Sequence, residues 1–161
     1  MELRSPAQLV STRARTMWAV QGVVLTLVLI IAGIAVEWTV SGLAGWWVPL
    51  GIAVIAVVFV VGALIVPSVR YRVHRWEVTD DAVYTQRGLI TIEQRIAPIS
   101  RVQTVDTERG ALSRIFGLST VTVTTASAKG ELRIEGLDRQ VAEQVVHDLT
   151  VVTAASKGDA T

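Results

Sequence analysis

The sequence predicts an α+β membrane protein, with a two-helix transmembrane hairpin followed by a small, largely antiparallel β domain that a C-terminal helix closes. Three observations predict it. Two long stretches in the first half carry no charged side chain, the composition changes abruptly at Arg70, and the second half is a series of short β-branched segments ending in one amphipathic run.

The first stretch is Met17–Val36, 20 residues without a charge. About 20 apolar residues in helical form cross a bilayer core. Glu37 interrupts, and a second uncharged stretch runs from Trp38 to Val69. That is long enough for a loop and one span, best placed over Trp46–Val66. A domain of this size cannot surround two helices that are apolar on every side, which argues against a pair of buried core helices. A cleaved leader would have an apolar region of about 7–15 residues ending at a small-residue site. Here the run is longer, no such site precedes Glu37, and a second span follows. Over the whole chain the mean hydropathy is +0.49 and 18% of residues are charged, against roughly a quarter in soluble domains.

The flanks agree with two spans. Trp18 opens the first, Trp38 follows its end, and Trp46 and Trp47 open the second, where an interfacial aromatic belt would lie. Pro49 falls in the first turn of the second span, where a missing N–H costs nothing. Gly22, Gly33, Gly51 and Gly62 are candidates for close helix approach. Gln21 is the one strongly polar side chain well inside either span and lies near an end. With no acid, lysine or arginine within the spans, a channel or transporter is not expected.

Arg4, Arg13 and Arg15 precede the first span and Arg70, Arg72 and Arg75 follow the second, while the loop between carries only Glu37. The positive-inside rule places both termini in the cytoplasm and the protein in the cell (inner) membrane. The absence of cysteine fits a cytoplasmic domain. The expected organisation is a cytoplasmic segment (1–16), a first span (17–36), a short extracytoplasmic loop (37–45), a second span (46–66), a folded cytoplasmic domain (70–153) and a disordered tail (154–161).

Residues 70–161 hold 12 Arg and Lys against 12 Asp and Glu. A domain that grips nucleic acid by electrostatics should be clearly basic, and this one is basic only at its first residues. Strands are expected at Tyr71–Thr79, Ala82–Arg87, Leu89–Ile96, Val102–Thr107, Thr120–Thr125 and Glu131–Glu135, with turns at Asp80-Asp81 and Ser127–Gly130. A short helix is expected at Gly110–Phe116, stopped by Gly117, with Leu112 and Phe116 as core anchors. A longer one is expected over Asp138–Thr150, with Asp138 as N-cap and Val141, Val145, Val146 and Leu149 as its apolar stripe.

The run W-E-V-T-D-D-A-V-Y-T-Q-R-G-L-I-T (Trp76–Thr91) resembles the first hairpin of the bacterial pleckstrin-homology domains of the YdbS-like, membrane-flanked family. The segment Ile96–Ala126 carries its most specific features: an arginine-valine-glutamine strand, a leucine-x-arginine-x-phenylalanine-glycine helix and a β-branched strand. The two preceding spans match as well. The resemblance implies a PH-like antiparallel β-sandwich or barrel capped by the C-terminal helix. It also implies a membrane-associated complex, often with a larger membrane protein carrying several such domains, and no known reaction. The eukaryotic namesakes bind phosphoinositides through a basic first loop. Here that position is Thr79-Asp80-Asp81, which is acidic and argues against such binding.

No catalytic, cofactor-binding or metal residue is expected. There is no cysteine, and His74 and His147 lack the neighbours of a metal site or a hydrolase triad. Asp80-Asp81 is a turn signal. Arg70, Arg72 and Arg75 are candidate lipid contacts, with topology fixing as the simpler role. Arg101, Gln103, Asp106 and Arg114 are candidate partner contacts, against the plainer reading of a solvated strand face and a structural pair. The expected function is non-enzymatic: a membrane-anchored PH-like module that scaffolds a protein complex at the cytoplasmic face. The alternatives are a sensor of lipid headgroups or peptides at the membrane surface and an accessory subunit of an export complex. Expected partners are membrane lipids, further copies of the chain and a larger membrane protein with several PH-like domains, but no nucleic acid.

Overall fold

The two uncharged stretches form two long helices, α1 (Thr12–Val40) and α2 (Trp47–Val73), in a computed structural model that describes residues 4–40, 45–127 and 130–158. Both are long and apolar enough to cross a membrane, and they expose apolar side chains over most of their circumference: Val23, Val24, Leu25 and Leu29 on α1, Val54, Ile55, Phe59 and Val60 on α2. That distribution suits lipid, not a protein core. Trp38, Trp46 and Trp47 are exposed, as side chains of an aromatic belt would be, whereas Trp18 is buried by protein. The middle of the expected loop, 41–44, lies outside the described residues.

Residues Thr16–Ser68 form one compact unit. Within it, two of the four glycines mark close approach between the helices. A Cβ on Gly22 would sit 3.0 Å from the Ala63 methyl, and one on Gly33 would sit 3.0 Å from Ile52 Cγ2. Gly51 and Gly62 face open space. The expectation of four contact glycines is thus corrected to two, because only Gly22 and Gly33 fall on the facing sides.

The second unit joins the segment before the spans to everything after them: Met1–Arg15 with Val69–Thr161. The expected strand Tyr71–Thr79 is shorter than its alternation suggests. Helix α2 continues through Val73, and its Arg70 carbonyl accepts the His74 backbone N–H at 2.9 Å. Arg70 and Arg72 in that last turn complement the helix dipole. Extended structure begins only at Arg75.

A four-stranded antiparallel sheet has the order β1 (Gln8–Leu9), β2 (Arg75–Val78), β3 (Ala82–Gly88), β4 (Ile92–Pro98). Its first strand was not expected. Gln8 pairs with Trp76 and Leu9 with Arg75, so the segment before α1 becomes the edge of a sheet built after α2. The expected strand over Leu89–Ile96 also shifts. Gly88 (φ +136°) begins a three-residue turn, since a Cβ there would lie 1.9 Å from the Thr91 carbonyl oxygen, and Leu89, Ile90 and Thr91 form the tip.

A 3₁₀ turn, Ile99–Arg101, leads into a three-stranded antiparallel sheet of β5 (Val102–Glu108), β6 (Leu118–Thr125) and β7 (Leu132–Asp138), with β6 central. Helix α3 (Ala111–Ile115) links β5 to β6 and stops at Gly117, whose N–H donates to the Arg114 carbonyl at 3.2 Å and whose left-handed φ of +68° turns the chain out of the helix. Leu112 is exposed, not a core anchor, and Phe116 is half-buried, because α3 is one short turn standing off the sheet. In the β6–β7 hairpin Gly130 N–H donates to the Ser127 carbonyl at 3.0 Å; Ala128 and Lys129 lie outside the described residues.

Helix α4 (Arg139–Gly158) packs on β5, β6 and β7 and runs past the expected stop at Thr150. Its buried stripe is Ala142, Val145 and Leu149, with Val141 and Val146 as half-buried flanks. Residues 159–161 of the expected tail lie outside the described residues. The core between α4 and the two sheets comprises Val83, Ile99, Leu118, Val121, Val123, Ile134, Leu137 and Leu149, all at most 2% exposed. Burying each contributes roughly 1.5–3 kcal/mol. The fold is an α+β sandwich of two antiparallel sheets closed by a C-terminal helix, as the sequence predicts.

Candidate functional site

Two surfaces gather the candidate residues. The first lies where α2 hands the chain to β2. Arg70 forms an ion pair with Glu135 of β7 at 2.9 Å, both side chains about one-third exposed. The Arg70 carbonyl also accepts from His74 Nδ1–H at 2.9 Å, which fixes that tautomer in neutral His74. His74 is buried, and burial, reinforced by the nearby Arg70 charge, lowers its pKa from that of an ordinary imidazole. Gln86 Nε2 donates to the Val73 carbonyl at 3.2 Å, and Gln94 Nε2 donates to Gln86 Oε1 at 2.9 Å, tying β3 and β4 to the end of α2.

The N-terminal segment closes the same end. Arg4 pairs with Glu77, whose second oxygen accepts the Ala7 N–H at 3.0 Å. Arg75 Nη1 donates to the Pro6 carbonyl at 3.5 Å and its Nε to the Arg72 carbonyl at 3.4 Å. Ser11 N–H reaches the Gly136 carbonyl at 2.9 Å, and Arg13 lies 3.7 Å from Asp138. Of the three candidate lipid contacts, Arg70 and Arg75 are therefore engaged with protein, while Arg72 is exposed.

The second surface is the edge strand β5. Gln103, Thr104, Asp106, Thr107 and Glu108 are exposed, and the Asp106 carboxylate accepts from Thr104 Oγ1 at 3.2 Å. The register slips between Val102 and Thr104, so Gln103 sits on a bulge. Arg101 is exposed at the start of this edge, where it borders a cavity of about 280 Å³ with Arg95, Pro98 and Thr125. Arg114 does not join them. It is exposed on α3 beyond the far end of β5, some seven residues along, or roughly 23 Å at strand rise. Arg101, Gln103 and Asp106 share one edge; Arg114 belongs to another place.

Among the described residues no group of three or more His, Cys, Asp or Glu side chains gathers. The exposed Asp80 and Asp81 form the β2–β3 turn at the end of the sheet opposite α2.

The sequence profile described as a bacterial PH domain matches residues 14–150, which takes in both helices and nearly all of the folded domain. The chain belongs to the bacterial PH domain family. It is 30% identical over 128 residues to UPF0699 transmembrane protein YdbS of Bacillus subtilis (strain 168), an alignment that covers 76% of this chain and 78% of that protein. No solved structure matches it significantly. This is a membrane protein with a bacterial PH domain.

Within that PH domain, two features escaped sequence reading. The N-terminal contribution, with Val10 and Ala14 buried, left no signal because two residues of strand have no visible period. The polar chain from Val73 through Gln86 to Gln94 pairs residues far apart in sequence. Only the β3–β4 register brings them together, with Gln86 opposite Gln94.

Proposed function

We propose that this chain is a non-enzymatic assembly module, a PH domain held at the cytoplasmic face of the membrane by a two-span anchor and recruiting protein partners through the β5 edge. That edge carries the reading. Among the described residues β5 joins its sheet through β6 alone, so its outer row of backbone donors and acceptors faces outward, and a strand from another chain can add there. The bulge at Gln103 and the acidic residues Asp106 and Glu108 limit indiscriminate pairing. The near balance of charge in the domain suits protein contacts better than capture of free lipid. Reading headgroups through Arg70, Arg72 and Arg75 draws less support, since two of the three contact protein.

The cytoplasmic placement rests on two arguments. All six flanking arginines favour it. The β1–β2 pairing adds that the segments before α1 and after α2 fold as one sheet and so share one side of the bilayer, as two spans require. In intact cells a membrane-impermeant maleimide should label a Trp38→Cys variant and leave Asp81→Cys unlabelled; the reverse pattern defeats the orientation.

For assembly, the full chain purified from native membranes in mild detergent should carry a partner, a further copy or a second membrane protein. Thr104→Lys/Thr107→Lys, which places charge along the β5 edge, should lose it. A wild-type chain that purifies as a monomer with nothing bound sinks the proposal, as does a double variant that keeps its partner.

A further inference from the structure

The PH domain buries its core well, yet its two most exposed large aliphatic side chains, Ile90 and Ile115, each stand beside further exposed apolar residues, while Leu9, Ile96 and Val151 are exposed elsewhere. Ile90 at the tip of the β3–β4 turn is 96% exposed, with Leu89 at 42% and Ile92 at 55% beside it. On α3, Ile115 is 77% exposed and Leu112 is 40%. Neither point serves the core or the β5 edge.

Their placement within the domain is specific. Gln86 of β3 pairs with Arg75 and hydrogen-bonds the Val73 carbonyl, the last residue of α2. The strand then runs two residues further before the turn, so Leu89 and Ile90 project roughly 7 Å beyond the level of Arg75, toward the side where α2 delivers the chain. The α3 point is tied to the start of α1 in the same way. Gly117, two residues after Ile115, would place a Cβ 3.2 Å from Arg13 Nη1, and Arg13 is the second residue of α1. Both apolar points therefore lie on the end of the domain from which the chain enters and leaves its spans. Arg15, Arg72 and Arg114 are exposed at that end, whereas the exposed Asp80 and Asp81 occupy the opposite end of the first sheet. Apolar tips beside exposed cations, with the neighbouring Glu93 paired to Arg87 and Arg95, suit an anionic lipid surface.

We propose that the β3–β4 tip (Leu89, Ile90, Ile92) and α3 (Leu112, Ile115) insert into the lipid leaflet next to the domain, so that the PH domain is docked on the bilayer at two points and not merely tethered to it. The turn that approaches lipid is then the β3–β4 turn, and the acidic Asp80-Asp81 turn points away. Docking in this orientation restricts which faces of the domain partners reach.

The chain has no cysteine, so single labels can be placed cleanly. Ile90→Cys, Ile115→Cys and, as reference, Asp81→Cys are made in the full chain, labelled with bimane, and reconstituted into vesicles of phosphatidylcholine and phosphatidylglycerol. All three positions are exposed, so folding should be unaffected, which circular dichroism checks. Side chains seated about 5–10 Å into the interface lie within reach of nitroxides on the acyl chains. The labels at 90 and 115 should be quenched severalfold more by spin-labelled lipid than the label at 81, and severalfold less by aqueous iodide. Lipid quenching at either position no greater than at 81 overturns the proposal. Protection from both quenchers at either position also overturns it, because protein then covers that point.

Discussion

Val10 offers the sharpest check on the domain's construction, because nothing in the sequence marks it as part of a fold. It sits between the β1 strand and α1 and is 5% exposed, while Gln8, two residues earlier, is exposed. Val10→Ala removes two methyl groups, about 0.8 kcal/mol each in transfer, and leaves a small void, for a total of about 1.5–2.5 kcal/mol. Gln8→Ala should stay within about 0.5 kcal/mol. The assay is pulse proteolysis of the full chain in detergent across a urea series, following the fragment that retains the C-terminal domain. With a urea dependence of roughly 1–2 kcal/mol/M for a domain of this size, the midpoint for Val10→Ala should fall by about 1 M or more. The loss must appear in a domain whose other strands begin after α2. A midpoint shared by Val10→Ala, Gln8→Ala and the unaltered chain would refute the claim that the N-terminal segment packs into the PH domain.

Gly22→Leu and Gly33→Leu should each force α1 and α2 apart at a cost of about 1–3 kcal/mol. Cross-linking of Ile30→Cys to Ile55→Cys, which line one interhelical cavity, should fall in those two variants and persist in Gly51→Leu and Gly62→Leu; equal cross-linking in all four contradicts the packing. His74 has a folded pKa below 6.5, so in acid the unfolded chain takes up its proton first. Its contribution to stability is complete above about pH 6.5 and is lost as pH falls through the folded value. Melting temperature measured across this range should drop on acidification, and His74→Gln should flatten the drop; an unchanged slope in the variant removes His74 as its source. Gly88→Ala, whose Cβ would meet the Thr91 carbonyl oxygen at 1.9 Å, should lower the melting temperature more than Gly130→Ala, where φ is +74° but space is open. The first costs about 1–3 kcal/mol or more and the second about 1–2 kcal/mol.

Much of the fold was legible because it rests on local signals. An uncharged run of bilayer length is a property of composition, and β-branched alternation such as Thr120–Thr125, most of the observed β6, needs no partner to be seen. The stop of α3 at Gly117 is likewise local, since the left-handed turn depends on one residue. The candidate sites fared differently. Arg101 immediately precedes β5 and Gln103 and Asp106 lie on it, so their sharing an edge was visible. That Arg70 binds Glu135, 65 residues away, was not. Leu112 was expected inside and lies outside, because an apolar residue in a single helical turn says nothing about which side the domain covers.

By itself, then, the sequence determined that two helices are long and apolar enough to cross a membrane, that arginines flank them and that a small α+β domain of the PH kind follows. Charge-free length and period-two alternation are written residue by residue, and physics reads them without knowing what lies across the chain. Only the tertiary structure decided that the domain includes the segment before the first span, that two of four glycines face the neighbouring helix, and that Ile90 and Ile115 stand exposed on the domain's surface. Those facts depend on register and long-range contact, which the chain settles only when it folds.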